Sequence, residues 1–235
     1  MRMPRPLTGL FIVSAFRCLS FSAFSQGSLT PPGPPTPTIK TLNQVEPRIP
    51  LDVAHIATAA DSEFVIKNAG SYYLTGNLAV SKTNGIRVAV AGVTVDLNGF
   101  QVTRAGAPSG NGIVIDSVAH RCTIKHGTLS GFAAGTAVAQ PRPRGGTFES
   151  LKATGNVTGL TGGDGWRLDH CIATDNNGLT TIGIAAGTGS AVVDCTSYDN
   201  GNIGFLAEAG TSFSRCIATG NGGVGFIDLS PDAVI

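Results

Sequence analysis

The residues best suited to chemistry in this sequence are charged side chains that flank a repeated cysteine position. They are Glu149, Lys152, Asp169, His170, Asp194 and Arg215. Carboxylates placed beside an imidazole or a cation can perform acid–base chemistry on a sugar linkage, and the same groups can bind a sugar. The alternative is a solvated surface, because some outward positions of any repeated fold must be polar. The pattern therefore predicts a substrate-binding strip, with no catalytic residue assigned.

A second set of carboxylates precedes a repeated asparagine. Asp175 and Asp199 occupy this position in two repeats, whereas Gly155 and Gly220 occupy it in two others. Two carboxylates one repeat apart are hard oxygen ligands of the kind that Ca²⁺ prefers. An Asp-Asn pair is also a common turn sequence. Calcium is thus the one ion that the sequence suggests, and no other cofactor is predicted.

Three cysteines, Cys171, Cys195 and Cys216, recur at the same position of successive repeats. They can be buried thiols, since cysteine packs as a small apolar residue. A disulfide or a metal site would be the functional alternative, but no Cys-x-x-Cys motif occurs. Leu151 takes the same position in the preceding repeat, which favours a buried column of thiols.

The cysteines belong to a repeat of 20 to 24 residues in the second half of the chain. Four positions recur in each copy: an apolar residue, a leucine or cysteine, a small residue and an asparagine. The four columns are Phe148, Leu168, Val192 and Phe213; Leu151, Cys171, Cys195 and Cys216; Ala153, Ala173, Ser197 and Ala218; Asn156, Asn176, Asn200 and Asn221. A Gly-Ile or Gly-Phe pair follows each of the last three copies. Repeats of this length contain strands too short to fold alone, so their strands must pair with those of the neighbouring repeats.

Composition agrees with strands rather than helices. The chain has 32 glycines among 235 residues, and only 13% of its residues are charged. Its apolar residues are largely valine, isoleucine, alanine and leucine, which fit short strands between tight turns. The asparagine column fits a turn, because asparagine tolerates left-handed backbone and its amide can bond along a stack.

The early part of the chain resembles a known superfamily. Residues 64–78, with the sequence FVIKNAGSYYLTGNL, precede Gly92-Val-Thr-Val-Asp-Leu-Asn-Gly99 and Gly112-Ile-Val-Ile115. This series looks like the opening coils of secreted bacterial proteins of the pectin-lyase-like superfamily. The resemblance implies an all-β fold, a single-stranded right-handed parallel β-helix, here of about seven coils. It does not select an activity, since the superfamily includes lyases, hydrolases, epimerases and adhesins.

Motifs of individual enzymes of this superfamily are incomplete. Trp166-Arg-Leu-Asp-His170 is similar to a Trp-Ile-Asp-His motif of pectate lyases, but the spacing differs. Their later Arg-x-Pro-x-x-Arg segment and the acidic motifs of polygalacturonases are absent. Lys125-His126-Gly127 is the nearest approach to a polygalacturonase motif and is predicted to be an ordinary turn.

The chain ends predict export and an open solenoid. Residues 1–25 form a basic then apolar leader with small residues before Gln26, so we expect a signal peptide and a secreted, periplasmic or cell-surface protein without a stable membrane span. Residues 26–50 are a proline-rich linker, and residues 51–235 the β-helix domain.

Without the leader the chain has 13 basic and 15 acidic residues, which argues against a nucleic-acid partner. The C-terminus shows no capping helix, so we expect that it can support oligomerisation.

Three functions remain open from the sequence. The first is binding of a polysaccharide or another cell-surface component without catalysis. The second is a lyase or glycoside hydrolase that acts on acidic glycans, and the third is a structural or adhesion module. An enzyme predicts a groove lined by Asp169, His170, Asp194 and Arg215, whereas a flat or convex surface at these residues argues against an enzyme.

Overall fold

The computed structural model describes residues 47–229 and shows a parallel β-solenoid of about eight turns. Every ladder between its strands is parallel, and no described residue is helical. Residues 47–229 therefore hold no helix that could span a membrane. The predicted all-β parallel β-helix is confirmed. The leader, most of the proline-rich segment and residues 230–235 lie outside the described residues.

Twenty-one short strands make up the turns. In chain order they are β1 Ile49–Pro50, β2 Ser62–Ile66, β3 Gly70–Tyr73, β4 Leu78–Ala79, β5 Asn84–Val88, β6 Val93–Asp96, β7 Gln101–Thr103, β8 Asn111–Ile115, β9 Thr123–Ser130, β10 Ala134–Val138, β11 Thr147–Thr154, β12 Leu160–Thr161, β13 Arg167–Asp169, β14 Ile172–Thr174, β15 Ile182–Ala186, β16 Ala191–Val193, β17 Thr196–Tyr198, β18 Ile203–Ala207, β19 Ser212–Ser214, β20 Ile217–Thr219 and β21 Phe226–Asp228. Strands β2 to β20 form seven successive turns, and β1 and β21 add a partial turn at each end.

Each turn contributes strands to three faces. The first face contains β2, β5, β8 and β10, then β12, β15, β18 and β21. The second contains β1, β3, β6, β9, β11, β13, β16 and β19. The third contains β4, β7, β14, β17 and β20 and shares β9 and β11 with the second face, because these two strands continue around the corner between the faces.

The corners between faces are built from residues with left-handed backbone. The corner between the second and third faces holds His126, Ser150, His170, Asp194 and Arg215, and the corner after the third face holds Gly131, Gly155, Asp175, Asp199 and Gly220. The corner before the second face holds Gly92, Arg121, Gly145, Gly165, Gly189 and Gly210. A residue with left-handed backbone bends an otherwise extended chain. Because each corner has such a residue on successive turns, these turns bend at the same place.

Columns of like residues fill the interior. Phe148 pairs with Leu168, Leu168 with Val192, and Val192 with Phe213, and the first three are fully buried. A second column runs through Ala153, Ala173, Ser197 and Ala218. Both sets are in the register that the repeat predicts. Since the like residues stack one turn apart, the interior keeps the same cross-section from turn to turn.

A buried asparagine ladder closes the end of the third face. The side-chain amide of Asn156 donates to the side-chain oxygen of Asn176 at 3.1 Å, and Asn200 donates to Asn221 at 2.9 Å. The side-chain oxygens of the ladder also accept backbone N–H groups. The backbone N–H of Asn176, for example, donates to the side-chain oxygen of Asn200 at 3.3 Å. The side-chain amides of Asn156, Asn176 and Asn200 therefore each donate to both neighbouring turns.

A column of glycines lies opposite the asparagine ladder. It consists of Gly85, Gly112, Gly135, Gly159, Gly183, Gly204 and Gly225. A Cβ added at Gly183 would lie 2.1 Å from the Ser197 hydroxyl and 2.8 Å from the carbonyl oxygen of Gly204. The absent side chain therefore makes room for the ladder, which explains the Gly-Ile and Gly-Phe pairs of the repeat.

The first strand begins two residues before the predicted domain. Ile49 and Pro50 form β1 and pair with Tyr72 and Tyr73, although they fall in the segment that composition assigns to a linker. Proline is tolerated there because β1 is an edge strand and lacks a neighbour on its other side among the described residues.

Candidate functional site

The predicted polar residues gather along the corner between the second and third faces, which we call the charged corner (His126, Ser150, His170, Asp194 and Arg215). In β11 the buried Phe148 and Leu151 enclose two consecutive residues, Glu149 and Ser150, that are not buried. Two successive outward side chains show that the chain turns around the core at this point. The charged corner is therefore convex.

Four of the predicted residues meet in one cluster on this corner. Arg215 donates from Nε and Nη2 to the two oxygens of Asp194, each at 2.6 Å. His170 Nδ1 lies 2.9 Å from Asp169 Oδ1, and its Nε2 lies 3.9 Å from Asp194 Oδ2. Arg167 adds a hydrogen bond of 3.0 Å to Asp169. The imidazole thus stands between two carboxylates of neighbouring turns.

Ion pairing sets the charge state of this cluster. The hydrogen bond from Arg215 holds the pKa of the Asp194 carboxyl below its ordinary value, and Asp194 in turn raises the pKa of Arg215. His170 and Arg215 are largely exposed, at 64% and 68% of their side chains. The Asp194–Arg215 ion pair and the neighbouring imidazole are therefore accessible to a ligand from solvent.

A second cluster with a histidine between two carboxylates lies on earlier turns. His126 Nδ1 is 3.2 Å from Asp96 Oδ1, and His126 Nε2 is 3.7 Å from Glu149 Oε1. Arg48 lies 3.1 Å and Lys125 3.9 Å from the other oxygen of Asp96. The chain does bend at His126, which has left-handed backbone within β9, but the prediction of an ordinary turn did not include these contacts.

The predicted strip is only partly assembled. Glu149 pairs in register with Asp169 one turn away and so joins the two clusters. Lys152 does not join them, because it lies beyond the corner on the third face, in register with Thr128 and Ile172. The sequence failed to indicate Asp96, Arg48 and Arg167, which take part in the clusters; only their charge could have suggested them.

One set of residues has the composition of a metal site. Asp169, His170 and Asp194 each offer a ligand atom, and these atoms lie within 4.8 Å of one another. Both oxygens of Asp194 already bind Arg215, and Asp169 binds His170 and Arg167. A metal ion would have to replace these hydrogen bonds, so the residues as placed form an ion-pair network.

The two aspartates proposed for calcium lie on a different corner. Asp175 and Asp199 have left-handed backbone, with φ of 55° and 52°, in the column that otherwise holds glycines. Asp175 also accepts a hydrogen bond of 2.8 Å from the Thr174 hydroxyl. Their position is accounted for by the turn, and calcium binding there remains a prediction.

The cysteines of the repeat are free thiols inside the solenoid. Cys171 and Cys195 are buried and Cys216 is partly buried. The backbone N–H of Cys171 donates to Cys195 Sγ at 3.3 Å. The hydrogen bond with Cys171 raises the pKa of the Cys195 thiol to about 12, and that with Cys195 raises the pKa of Cys216. The raised pKa values keep the Cys195 and Cys216 thiols protonated, which argues against a nucleophilic role for either.

Trp166, which suggested a lyase motif, is also a core residue. Its side chain is 1% exposed, its ring packs edge-to-face on Phe148 at 4.8 Å, and its Nε1 donates to the Pro143 carbonyl at 2.9 Å. It contributes to packing under the second face and does not reach the charged corner. The similarity to that motif therefore has no counterpart in a shared site.

The sequence matches no protein-family profile, no curated protein and no solved structure. Membership of the pectin-lyase-like superfamily accordingly stays a prediction.

A cavity of about 380 Å³ opens beside Arg215 at the last described turn. Its walls include the rings of Phe213 and Phe226, which pack against each other at 5.3 Å, and the partly buried Cys216. The cavity lies where the core of the last described turn meets no further described turn. It is a property of that end of residues 47–229 and not of the charged corner as a whole.

Proposed function

We propose that this protein binds an extended carbohydrate chain along the charged corner and does not cleave it. The observation that carries the proposal is the row of carboxylate, imidazole and cationic side chains on successive turns from Asp96 to Arg215. Strands of adjacent turns lie ~4.8 Å apart, so the row offers a hydrogen-bonding group at each step of a linear polymer. Ionised groups also form the stronger hydrogen bonds.

The shape of the corner favours binding over catalysis. Acid–base catalysis on a glycosidic bond benefits from a site that excludes water and holds its carboxyl groups ready for proton transfer. Here the edge is convex, His170 is 64% exposed, and Asp194 is held as a carboxylate by Arg215. These features suit a surface that holds a ligand and releases it unchanged.

A binding assay with paired variants tests the proposal. We would measure retention of the protein in gels that contain soluble polysaccharides, followed by calorimetry on those that retard it. The variant D169A/D194A should lose at least tenfold in affinity, because it removes both carboxylates beside His170. The matched control D175A/D199A alters two aspartates of another corner and should stay within twofold. Absence of binding, or equal losses in both variants, would refute the assignment.

Cleavage of an acidic glycan is the second candidate. It is favoured by one observation, the imidazole of His170 between the carboxylates of Asp169 and Asp194. Incubation with pectate or alginate, with and without Ca²⁺, and measurement of unsaturated-product absorbance and reducing ends would reveal it. Turnover lost in H170A would replace the binding proposal with an enzymatic one.

Location and assembly are part of the same proposal. The leader over residues 1–25 supports export, and extended polysaccharides occur outside the cytoplasm. Association of copies through the C-terminal end is the accompanying proposal for assembly, and a role purely in structure or adhesion is the outcome expected if no glycan binds.

A further inference from the structure

The two histidines of the charged corner occupy equivalent positions. His126 lies between Asp96 and Glu149, and His170 lies between Asp169 and Asp194. In both cases Nε2 faces a carboxylate of the following turn, whereas Nδ1 faces the preceding turn at His126 and the adjacent residue of its own turn at His170. An imidazole flanked by two carboxylates therefore occurs twice on one edge.

The spacing of these two arrangements is two turns. Ser150 occupies the charged corner on the turn between them. At ~4.8 Å for each turn, the two imidazoles are separated by roughly 9.6 Å along the stack. This separation is close to the length of two sugar rings in an extended chain, so equivalent hydroxyl groups of alternate sugars would meet the two histidines.

The charges around the two histidines balance. Four carboxylates and four cations line the row, namely Asp96, Glu149, Asp169 and Asp194 with Arg48, Lys125, Arg167 and Arg215. A balanced row provides no net field to attract a polyanion, and the carboxylates beside each imidazole repel a uronate. Carboxylates instead accept hydrogen bonds from neutral hydroxyl groups.

We propose that the ligand is a linear, uncharged glycan that lies parallel to the stack of turns and contacts His126 and His170 with alternate sugars. This proposal rests on the proposed function and specifies its ligand. Each histidine with its two carboxylates forms one subsite, and a ligand that reaches both is held more tightly because its second contact is intramolecular. A disaccharide fills one subsite, whereas a tetrasaccharide fills both.

Oligosaccharides of increasing length test this arrangement. Uncharged β-1,4-linked glucose, mannose and xylose oligomers of two to six sugars would be titrated by calorimetry into the full chain. Affinity for one of these series should rise at least tenfold between the disaccharide and the tetrasaccharide. H126A and H170A should each abolish that rise while leaving disaccharide affinity within about twofold to threefold, and H126Q and H170Q serve as second variants. Circular dichroism and melting curves confirm that each variant is folded.

His55 provides the matched control. It lies outside the row, its side chain is 43% exposed against 42% for His126, and its Nδ1 lies 2.7 Å from Asp52. H55A should retain the dependence on ligand length. Preferential binding of polygalacturonate would overturn the uncharged ligand and leave the proposed function in place, whereas binding by one histidine alone would overturn the pair of subsites. Failure of every glycan to bind would refute both proposals.

Discussion

The side-chain amide of Asn176 donates to the side-chain oxygen of Asn200 at 2.8 Å, from a position where both residues are buried. The same amide donates to the carbonyl of Ala153 at 3.1 Å, and its oxygen accepts the backbone N–H of Asn156 at 3.1 Å. One side chain thus links three turns. Removing it takes the side-chain acceptor from the backbone N–H of Asn156 and one of the two donors from the side-chain oxygen of Asn200.

The variant N176A should lower the free energy of unfolding by about 3 kcal/mol, because buried donors and acceptors lose their hydrogen bonds. Urea denaturation followed by circular dichroism measures the change. The side chain of the adjacent Asn177 is exposed and donates to the carbonyl of Asp175 at 3.1 Å, so N177A should cost less than about 1 kcal/mol. Equal losses in the two variants would show that the ladder does not stabilise the stack.

The variant G183A should be destabilised by about 3 kcal/mol, since its Cβ would overlap the Ser197 hydroxyl and a backbone carbonyl. Gly76 has no atom within 4 Å of an added Cβ and serves as the control. Melting temperatures of G183A and G76A give the comparison. A G183A protein as stable as G76A would mean that the glycine column has space that the structure does not show.

Cys195 should resist alkylation by iodoacetamide in the native protein. With its pKa raised to about 12, only about one thiol in ten thousand is ionised at pH 8. Mass spectrometry of protein labelled before and after denaturation measures the reaction. A cysteine introduced at the exposed Lys152 should react readily and controls for the reagent. Rapid native labelling of Cys195 would contradict the buried, protonated thiol.

Acid should weaken the wild-type protein more than D194N. The folded pKa of Asp194 lies below its ordinary value of 3.8 because of Arg215, so its stabilising contribution is complete above pH 3.8. The contribution is lost as pH falls through the lower, folded pKa. Melting curves from about pH 5 to pH 2 should show a steeper loss for wild type than for D194N or R215Q. Parallel curves would argue against this ion pair, and added salt should reduce the difference.

The sequence predicted those parts of the fold in which the repeat preserves residue type. Cys171 and Cys195 are 24 residues apart, and the strands around them pair with that offset. Alignment of the repeats was sufficient to place such residues on one column, because a buried position accepts only side chains of similar size and polarity.

The second histidine cluster escaped prediction because its members do not repeat in type. Asp96, Lys125 and Glu149 share one column, but their charges differ and the connections between their strands differ in length. Surface columns accept any polar residue, so the chain carries no pattern there. Only the register of β6, β9 and β11 brings Asp96 and Glu149 to opposite sides of His126.

Because like residues pair one turn apart, a whole turn can be duplicated without changing the contacts of its neighbours. Duplication of the 24 residues from Cys171 to Asp194 would place every asparagine, glycine and thiol beside an equivalent residue. Insertion of a single residue within a strand would instead exchange its buried and exposed sides. Such a chain can lengthen by whole turns at little risk to its fold, and each added turn extends the outer edge by a fixed step.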